Sequence, residues 1–190
     1  MTAPDPSAEL MRMINWYQVS QALHVAAALG VADQLKDGQK SCDVVARACG
    51  AHPPSLYRLL RALAAVGVFH EAANKEFSLT PLGVCLTSDA PGSRRNYARW
   101  IGTPGQWRSW GNLLHSIKSG ESASEFTRGK DAWTYRMQHP EEQAVGYSGH
   151  GPEGIGGGSR RPLTLIHRVR EWLRLVLARC TGPPNGAGAR

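Results

Sequence analysis

Apolar residues at helical spacing near the start of the chain constrain its fold more than any other feature. The intervals i, i+3, i+4 and i+7 place four of them on one face of a helix: Val19, Ala22, Leu23 and Ala26. The Ser7 hydroxyl can accept a hydrogen bond from a free amide of the first turn, and Gly30 can end the helix in a left-handed conformation. We therefore predict a helix over residues 8–29.

The apolar surface of this helix is larger than one face. Met11, Ile14 and Tyr17 extend it upstream, and the alanines at 26–28 are small enough to let another helix approach closely. A helix with so much apolar surface needs a packing partner, either elsewhere in the chain or in a second chain. The sequence leaves both possibilities open.

The next segments predict a helix-turn-helix followed by a hairpin. Ser41 can cap a short helix at 42–49, and Pro53 can open another helix with an apolar face. That face consists of Leu56, Leu59, Leu60, Leu63 and Val66. Residues 68–71 alternate between apolar and polar side chains, and together with 76–79 they predict a β-hairpin. A helix-turn-helix followed by such a hairpin is a winged helix.

The rest of the pattern makes the predicted fold mainly α. Short helices are predicted at 31–35 and, after the cap Thr80, at 82–86. Two further helices are predicted between residues 93 and 120, where the Gly-Thr-Pro-Gly stretch at 102–105 separates them.

The composition excludes several classes of protein. With 42% hydrophobic and 19% charged residues the chain is typical of globular proteins. No apolar run reaches the roughly 18 residues of a membrane span, and the first residues lack the basic and apolar regions of a secretory signal. We expect a cytoplasmic protein without a membrane span.

The net charge of +7 directs attention to nucleic acids, but the charge is unevenly distributed. Residues 1–158 carry 15 Lys and Arg against 14 Asp and Glu, whereas residues 159–190 carry seven Arg and one Glu. The basic character therefore belongs to the tail.

The cysteine and histidine spacings predict no metal site and no catalytic site. The four cysteines form no CxxC pair, and we expect them to be small, reduced, buried side chains. The histidines considered fall on separate predicted elements, away from any triad-like or ligand spacing: His24, His52, His70, His115, His139 and His167. We interpret them as structural or solvated residues.

Five stretches of this sequence, in this order, resemble one family of enzymes. They are SQALHVAAALGVADQL at 20–35, LYRLLRALAAVGVF at 56–69, FSLTPLG at 77–83, WTY at 133–135 and HPE at 139–141. Together they extend over roughly residues 8–145. This part of the chain resembles the bacterial and plant-type S-adenosylmethionine-dependent O-methyltransferases that begin with a winged-helix dimerisation domain.

The resemblance implies a homodimer in which the first helices of two subunits intertwine. The interface candidates are Met11, Ile14, Tyr17, Leu23, Ala26 and Ala27. In that family the same domain helps to wall the pocket of a small-molecule acceptor, which carries an aromatic or polyketide-type hydroxyl. The pocket candidates are Trp133, Tyr135 and Trp107, with packing in the core as the alternative role for these aromatic side chains.

The resemblance also implies a second, Rossmann-like domain that binds S-adenosylmethionine and supplies a catalytic histidine, and that part finds no match here. Gly149, Gly151 and Gly154 fit a loose GxGxxG, but no apolar strand precedes them, and Pro152 and the glycines at 156–158 interrupt a helix start. We predict no catalytic, cofactor-binding or metal-binding residue. We expect a truncated or frameshifted chain that does not transfer methyl groups.

The domain organisation follows from these observations. We predict a winged-helix dimerisation domain at 8–145, a glycine-rich linker at 146–161 and a basic tail at 162–190. The tail can form one amphipathic helix, or it can result from out-of-frame translation of a GC-rich gene.

A winged helix also raises a second hypothesis, a DNA-binding transcriptional regulator. The predicted recognition helix offers only Arg58 and Arg61 to DNA, and in the hairpin Lys75 is opposed by Glu71 and Glu76. This is a poor set of phosphate contacts, so the sequence disfavours nucleic acid as a partner.

Overall fold

The computed structural model describes residues 5–129 and 132–140, and it confirms a mainly helical fold with a small antiparallel sheet. The helices are α1 Pro6–Ala28, α2 Val31–Leu35, α3 Cys42–Ala48, α4 Pro53–Ala65, α5 Pro81–Val84, α6 Arg95–Ile101, α7 Pro104–Gly111, α8 Leu113–Ser119, α9 Ala123–Arg128 and α10 Ala132–Gln138. The strands are β1 Lys40–Ser41, β2 Phe69–Ala72 and β3 Glu76–Leu79. The predicted linker and tail lie outside the described residues.

Helix α1 begins two residues earlier than predicted. Its cap is Asp5, whose carboxylate accepts a hydrogen bond from the Ser7 amide at 3.1 Å, so the prediction of a Ser7 cap was wrong. Pro6 explains the earlier start because proline has the φ of a first helical residue and lacks an amide that would need a partner there. At the other end Gly30, with φ +67°, separates α1 from α2 as predicted.

The predicted winged helix is present. The Ser41 hydroxyl accepts from the Val44 amide and caps α3, and α4 begins at the two prolines. In the hairpin Phe69 pairs with Leu79 and Glu71 with Phe77. The structure also contains strand β1, which the sequence did not predict. This strand is only two residues long and is defined by its pairing with β3, so it leaves no alternating pattern in the sequence.

The core lies where the second half of α1 meets α2, α3, α4 and the sheet. Its largest fully buried side chains are Phe69, Phe77, Leu35, Leu60, Leu63, Val31 and Val45. The prediction that Val66 belongs to the apolar face of α4 was wrong. Val66 is the C-terminal cap of α4, where the helix has ended, and it is 45% exposed.

Thr80 joins the polypeptide after the hairpin to the segment that leads into the hairpin. The single proton of the Thr80 hydroxyl is within reach of the carbonyls of both Gly67 and Val68, at 2.8 and 2.9 Å, and the hydroxyl oxygen accepts from the Gly83 amide at 3.1 Å. Thr80 therefore caps α5 as predicted. The helix is shorter than expected and covers Pro81–Val84.

The region after α5 contains more breaks and more helices than the sequence predicted. Asn112 divides the predicted second helix into α7 and α8, with its side-chain amide donating to the Arg108 carbonyl at 2.9 Å. Helices α9 and α10 occupy a segment for which no element was predicted, and Ser122 caps α9. Within the described ranges, no helix is both long enough and apolar enough to cross a membrane.

Candidate dimerisation surface and aromatic grooves

The second half of α1 is packed inside the chain. Ala26 and Ala27 are each 1% exposed, and Leu23 is half-buried against the same core. At the crossing with α6, the His24 ring nitrogen Nδ1 lies 3.2 Å from the Ala98 carbonyl, and the Arg95 Nε donates to the Ala27 carbonyl at 3.3 Å. These contacts fix the direction in which α1 leaves the core.

The crossing of α1 and α6 depends on the absence of a side chain at one position. A Cβ added to Gly102, at the C-terminal end of α6, would overlap the ring of His24. The two helices therefore approach as closely as a glycine allows.

A partly buried ion pair joins α2 to the first residue of α6. Arg95 Nη1 lies 3.3 Å from Asp33 Oδ2, and both side chains are about one fifth exposed. The other oxygen of Asp33 accepts from the amide and the hydroxyl of Ser88, at 2.7 and 3.0 Å. This network places α6, and with it the groove described below, beside α1.

The first half of α1 leaves its large side chains in solvent. The side chains that are more than half exposed are Leu10, Met11, Met13, Ile14, Trp16 and Tyr17. Single exposed apolar residues are ordinary on a protein surface, but a contiguous apolar patch marks an interaction site. We call these six residues the α1 patch.

The predicted interface candidates therefore divide into two groups. Met11, Ile14 and Tyr17 lie in the α1 patch, where a second chain can reach them. Ala26 and Ala27 are in the core of this chain, and Leu23 packs against that core. In the single chain the latter group contributes to the core, and the exposed patch also contains Leu10, Met13 and Trp16.

Next to the α1 patch runs an open apolar groove of about 630 Å³ between α1, α5 and α6. Its lining includes Trp16, Leu23, Leu82, Cys85, Arg94 and Tyr97. We call it the α5–α6 groove. Trp16 belongs both to this groove and to the α1 patch, so the two surfaces are continuous.

A second groove, of about 670 Å³, lies between α1 and α7 and contains one of the predicted pocket residues. Trp107 lines it together with Trp110, Arg108, Asn112 and Tyr17. The rings of Tyr17 and Trp107 are in contact, with their centroids 6.3 Å apart. The structure thus joins a predicted interface residue to a predicted pocket residue.

The other two pocket candidates lie on α10. The Tyr135 ring is half-buried and stacks on His139 with centroids 4.3 Å apart, and it lines neither of the two grooves. The side chain of Trp133 lies outside the described residues.

The cysteines differ in exposure, which corrects the expectation that all are buried. Cys42 is buried and Cys49 half-buried, and burial raises the pKa of both thiols. Cys85 is exposed and lines the α5–α6 groove. Among residues 5–129 and 132–140, no group of three His, Cys, Asp or Glu side chains is placed to hold a metal ion.

The face of α4 that a DNA-binding winged helix would use is partly neutralised. Arg61 Nε lies 3.4 Å from the Glu71 carboxylate. The Tyr57 hydroxyl donates to the same carboxylate at 2.8 Å, and this hydrogen bond raises the pKa of Tyr57. Arg61 is thus engaged with Glu71 and is poorly placed to neutralise a phosphate.

Sequence reasoning missed several residues of these surfaces, although one signal was present. Leu10, Met13, Ile14 and Tyr17 recur at i, i+3, i+4 and i+7, the same intervals that identified the buried face further along α1. Arg94, Tyr97 and Cys85 carry no comparable local signal, because they meet α1 only through tertiary packing.

Comparison with known proteins gives this geometry a context. Residues 11–89 match the sequence profile described as the O-methyltransferase dimerisation domain. The chain is similar to the phenazine O-methyltransferase PhzM of Lysobacter antibioticus, with 40% identity over 73% of this chain and 40% of that protein. It is also similar to the mitomycin biosynthesis 6-O-methyltransferase of Streptomyces lavendulae, with 35% identity over 66% of this chain and 36% of that protein.

The fold is similar to solved structures of the same kind. The crystal structure of LaPhzM superposes with a TM-score of 0.73 at 38% identity, covering 77% of this chain and 44% of that one. The chain thus spans about two fifths of the length of the curated relatives it matches.

Proposed function

Residues 11–89 of this chain form an O-methyltransferase dimerisation domain, and from this premise we propose that the chain forms a homodimer through the α1 patch. The observation that supports the proposal is the exposure of six large apolar side chains on the first half of a helix whose second half is firmly packed. The second half of α1 is packed in the core before a partner arrives, so only the first half of the helix has to be ordered on association.

The free energy available from the α1 patch is comparable with the cost of association. Full burial of a large apolar side chain contributes about 1.5–3 kcal/mol, so a half-exposed one can still contribute about 1 kcal/mol. Both protomers contribute their patch, and the total is on the order of 10 kcal/mol. Association costs about 4–15 kcal/mol, so the patch needs support from neighbouring surface to give a stable dimer.

Light scattering on the purified chain tests the proposed dimer. The expected mass is twice that of the chain. Ile14→Asp should raise the dissociation constant at least about 100-fold, because it would place a charge without a partner into the contact of both protomers. Val44→Asp is the matched control, since Val44 is 47% exposed on α3, away from the patch. A monomeric wild-type chain, or equal loss in the two variants, would contradict the proposal.

We further propose that this dimer serves methyl transfer to a small aromatic or polyketide-type hydroxyl, as the acceptor-walling part of an O-methyltransferase. The flat ring of Trp107 in the groove between α1 and α7 is suited to hold an aromatic acceptor, and Tyr135 and Trp133 on α10 are further candidates. Quenching of tryptophan fluorescence by a phenazine should weaken in Trp107→Leu and persist in Phe126→Leu, which changes an exposed aromatic side chain outside both grooves.

We propose that the methyl donor S-adenosylmethionine is not bound by this part of the protein. A Rossmann-type cradle needs a glycine-rich turn between a buried parallel strand and a helix. Over residues 5–129 and 132–140 the sheet has three short antiparallel strands. Calorimetric titration of the full chain with S-adenosylmethionine should show no heat of binding, and a measurable affinity would contradict this proposal.

The alternative function of a DNA-binding regulator is not favoured. The similar proteins named above are methyltransferases, and Arg61 on α4 is engaged by Glu71. A gel shift with mixed DNA should show no binding by a variant that lacks the basic tail. Steeply salt-dependent binding by that variant would revive the alternative.

A further inference from the structure

We propose that the groove between α1 and α7 binds an aromatic acceptor that carries a carboxylate, and that Arg108 is the residue that selects for this charge. We call this groove, which Tyr17, Trp107 and Trp110 line with their rings, the α1–α7 groove. The inference rests on the proposed acceptor-walling function and adds the class of acceptor and the residue that recognises it.

Three aromatic side chains make the α1–α7 groove suited to a planar ligand. Tyr17 lies on α1, and Trp107 and Trp110 lie on α7. All three are exposed, so their rings remain open to a ligand and are not used up by packing in the core. The groove volume of about 670 Å³ falls within the range of about 300–1,000 Å³ that is typical of small-molecule sites. A flat aromatic ring is the ligand that can pack against such walls.

Arg108 gives the groove a single sign of charge. Among the described residues that line the groove, Arg108 is the one charged side chain, so the lining described contains no carboxylate that would repel an anion. Over residues 5–129 and 132–140, Arg108 also has no ion-pair partner. A guanidinium presents its N–H donors in a planar fork that matches the two oxygens of a carboxylate. The groove therefore offers an anionic group a partner that the described part of the chain leaves unused.

The polar groups stand close to the rings that would hold the ligand. Trp107 and Arg108 are consecutive residues of α7, and both line the groove. A ligand ring packed on Trp107 therefore has its substituents within reach of the Arg108 side chain. The Asn112 side-chain amide donates to the Arg108 carbonyl at 2.9 Å, which leaves the Asn112 oxygen Oδ1 as an acceptor for a ligand hydroxyl. The groove thus provides complementary partners for an aromatic ring, a carboxylate and a hydroxyl.

The charge of Arg108 argues against the other ligands that an aromatic groove attracts. The faces of Trp and Tyr rings attract cations, but a cationic ligand in this groove would place its charge beside the Arg108 guanidinium. A neutral aromatic ring would pack on the walls and gain nothing from Arg108. An aromatic carboxylate uses the rings and the guanidinium together.

Two probes of the same shape test the inference. They are 2-naphthoate, which is ionised at neutral pH, and its uncharged amide, 2-naphthamide. Calorimetric titration of the full chain at low salt should give a dissociation constant about 5- to 10-fold lower for the carboxylate than for the amide, because Arg108 is exposed and the ion pair is only partly desolvated. The preference should decrease at high salt, which screens an exposed ion pair.

Substitution of Arg108 separates the charge from the shape of the groove. Arg108→Gln should bind the carboxylate only as well as the amide, and its affinity for the amide should equal that of the wild type, which verifies that the variant is folded with an intact groove. Arg94→Gln is the matched control, since Arg94 is also an exposed arginine but lines the α5–α6 groove, and this variant should retain the full preference. Trp107→Leu should weaken the binding of both probes by a similar factor.

The outcomes distinguish this inference from the proposed acceptor function. A preference that persists in Arg108→Gln, or that is lost equally in Arg94→Gln, would overturn the inference, because the carboxylate would then be bound elsewhere, as at the arginines of residues 159–190. Equal affinities of the wild type for the two probes would also overturn it. In each of these cases, weaker binding of both probes by Trp107→Leu would still support an aromatic acceptor in the groove. If the wild type binds neither probe, the acceptor function of the groove and the role of Arg108 are both overturned.

Discussion

Gly102 shows how one residue determines the direction of α1. Its Cα faces the ring of His24, and a methyl group at that position would overlap the ring. The His24 ring nitrogen in turn contacts the Ala98 carbonyl, so the ring cannot move away without losing that contact. The separation between α1 and α6 is therefore set by the absence of a Cβ at Gly102. The sequence pattern alone did not show this dependence.

Gly102→Ala should lower the free energy of unfolding by about 1–3 kcal/mol, because an inserted methyl group forces α1 and α6 apart. Gly111→Ala is the matched control, since a Cβ at Gly111 meets no other atom within 4 Å. It should be neutral or stabilise the protein by up to about 1 kcal/mol through helix propensity. Urea denaturation of both variants makes the comparison. Equal effects of the two substitutions would show that the His24 contact does not constrain the crossing.

Asp33 is the second residue whose importance appears only in the structure. It pairs with Arg95 and accepts two hydrogen bonds from Ser88, which lies 55 residues further along the chain. The sequence placed Asp33 in a short helix and assigned it no partner, because nothing local indicates a residue so distant. The spacing of apolar and polar residues along the sequence does not reveal ion pairs of this kind.

Asp33→Ala should lower the free energy of unfolding by about 1–3 kcal/mol, because the Arg95 guanidinium and the Ser88 amide both lose a partly buried acceptor. Asp89→Ala removes the carboxylate that pairs with Lys36 in solvent, and it should leave the denaturation midpoint unchanged. Chemical denaturation compares the two. A loss in Asp89→Ala as large as that in Asp33→Ala would mean that net charge, rather than the network, is responsible.

At the scale of single elements, local signals predicted much of the fold. The caps at Ser41 and Thr80, the stop at Gly30 and the hairpin strands depend on neighbours within a few residues, and each is found in the structure. Strand β1 and helices α9 and α10 are two to seven residues long and need tertiary contacts, so their sequences carry little periodicity.

Helix α1 contains one half that packs against the rest of the chain and one half that does not. The sequence predicted both halves as helix; the second half packs in the core, whereas the first half continues the helix into solvent with an apolar stripe. An isolated helical segment of this length is marginal in water. The stability of residues 10–17 should therefore depend on whether a partner covers them.

Hydrogen exchange can measure that dependence. Amides of residues 10–17 should be protected at concentrations where the chain is dimeric and should exchange faster on dilution or in Ile14→Asp. Amides around Leu60 and Leu63 in the core half of α4 serve as the internal control, because dissociation leaves them buried. Protection of residues 10–17 that does not change with concentration would show that this half of α1 is stable alone.

At the scale of the whole molecule, the candidate site was only partly predictable. The sequence identified apolar excess in α1 and aromatic residues at α7 and α10, but it could not show that Tyr17 and Trp107 touch or that Trp16 borders a groove. These relations depend on how α1 crosses α6. A surface to which three helices contribute depends on how those helices pack. Only the apolar stripe on the first half of α1 can be recognised from the spacing of residues in the sequence.

The stability of the whole molecule should depend on its concentration. If folding and association are linked, each tenfold rise in concentration adds about 1.4 kcal/mol of stability to the dimer. Shared between two chains of this length, that corresponds to a rise of roughly 1–3 °C in Tm. Calorimetry over two decades of concentration should show this rise for the wild type and for Val44→Asp. Ile14→Asp should melt at a lower temperature that is independent of concentration, because its patch no longer forms a contact. A wild-type Tm that does not change with concentration would show that the exposed half of α1 contributes nothing to the stability of this chain.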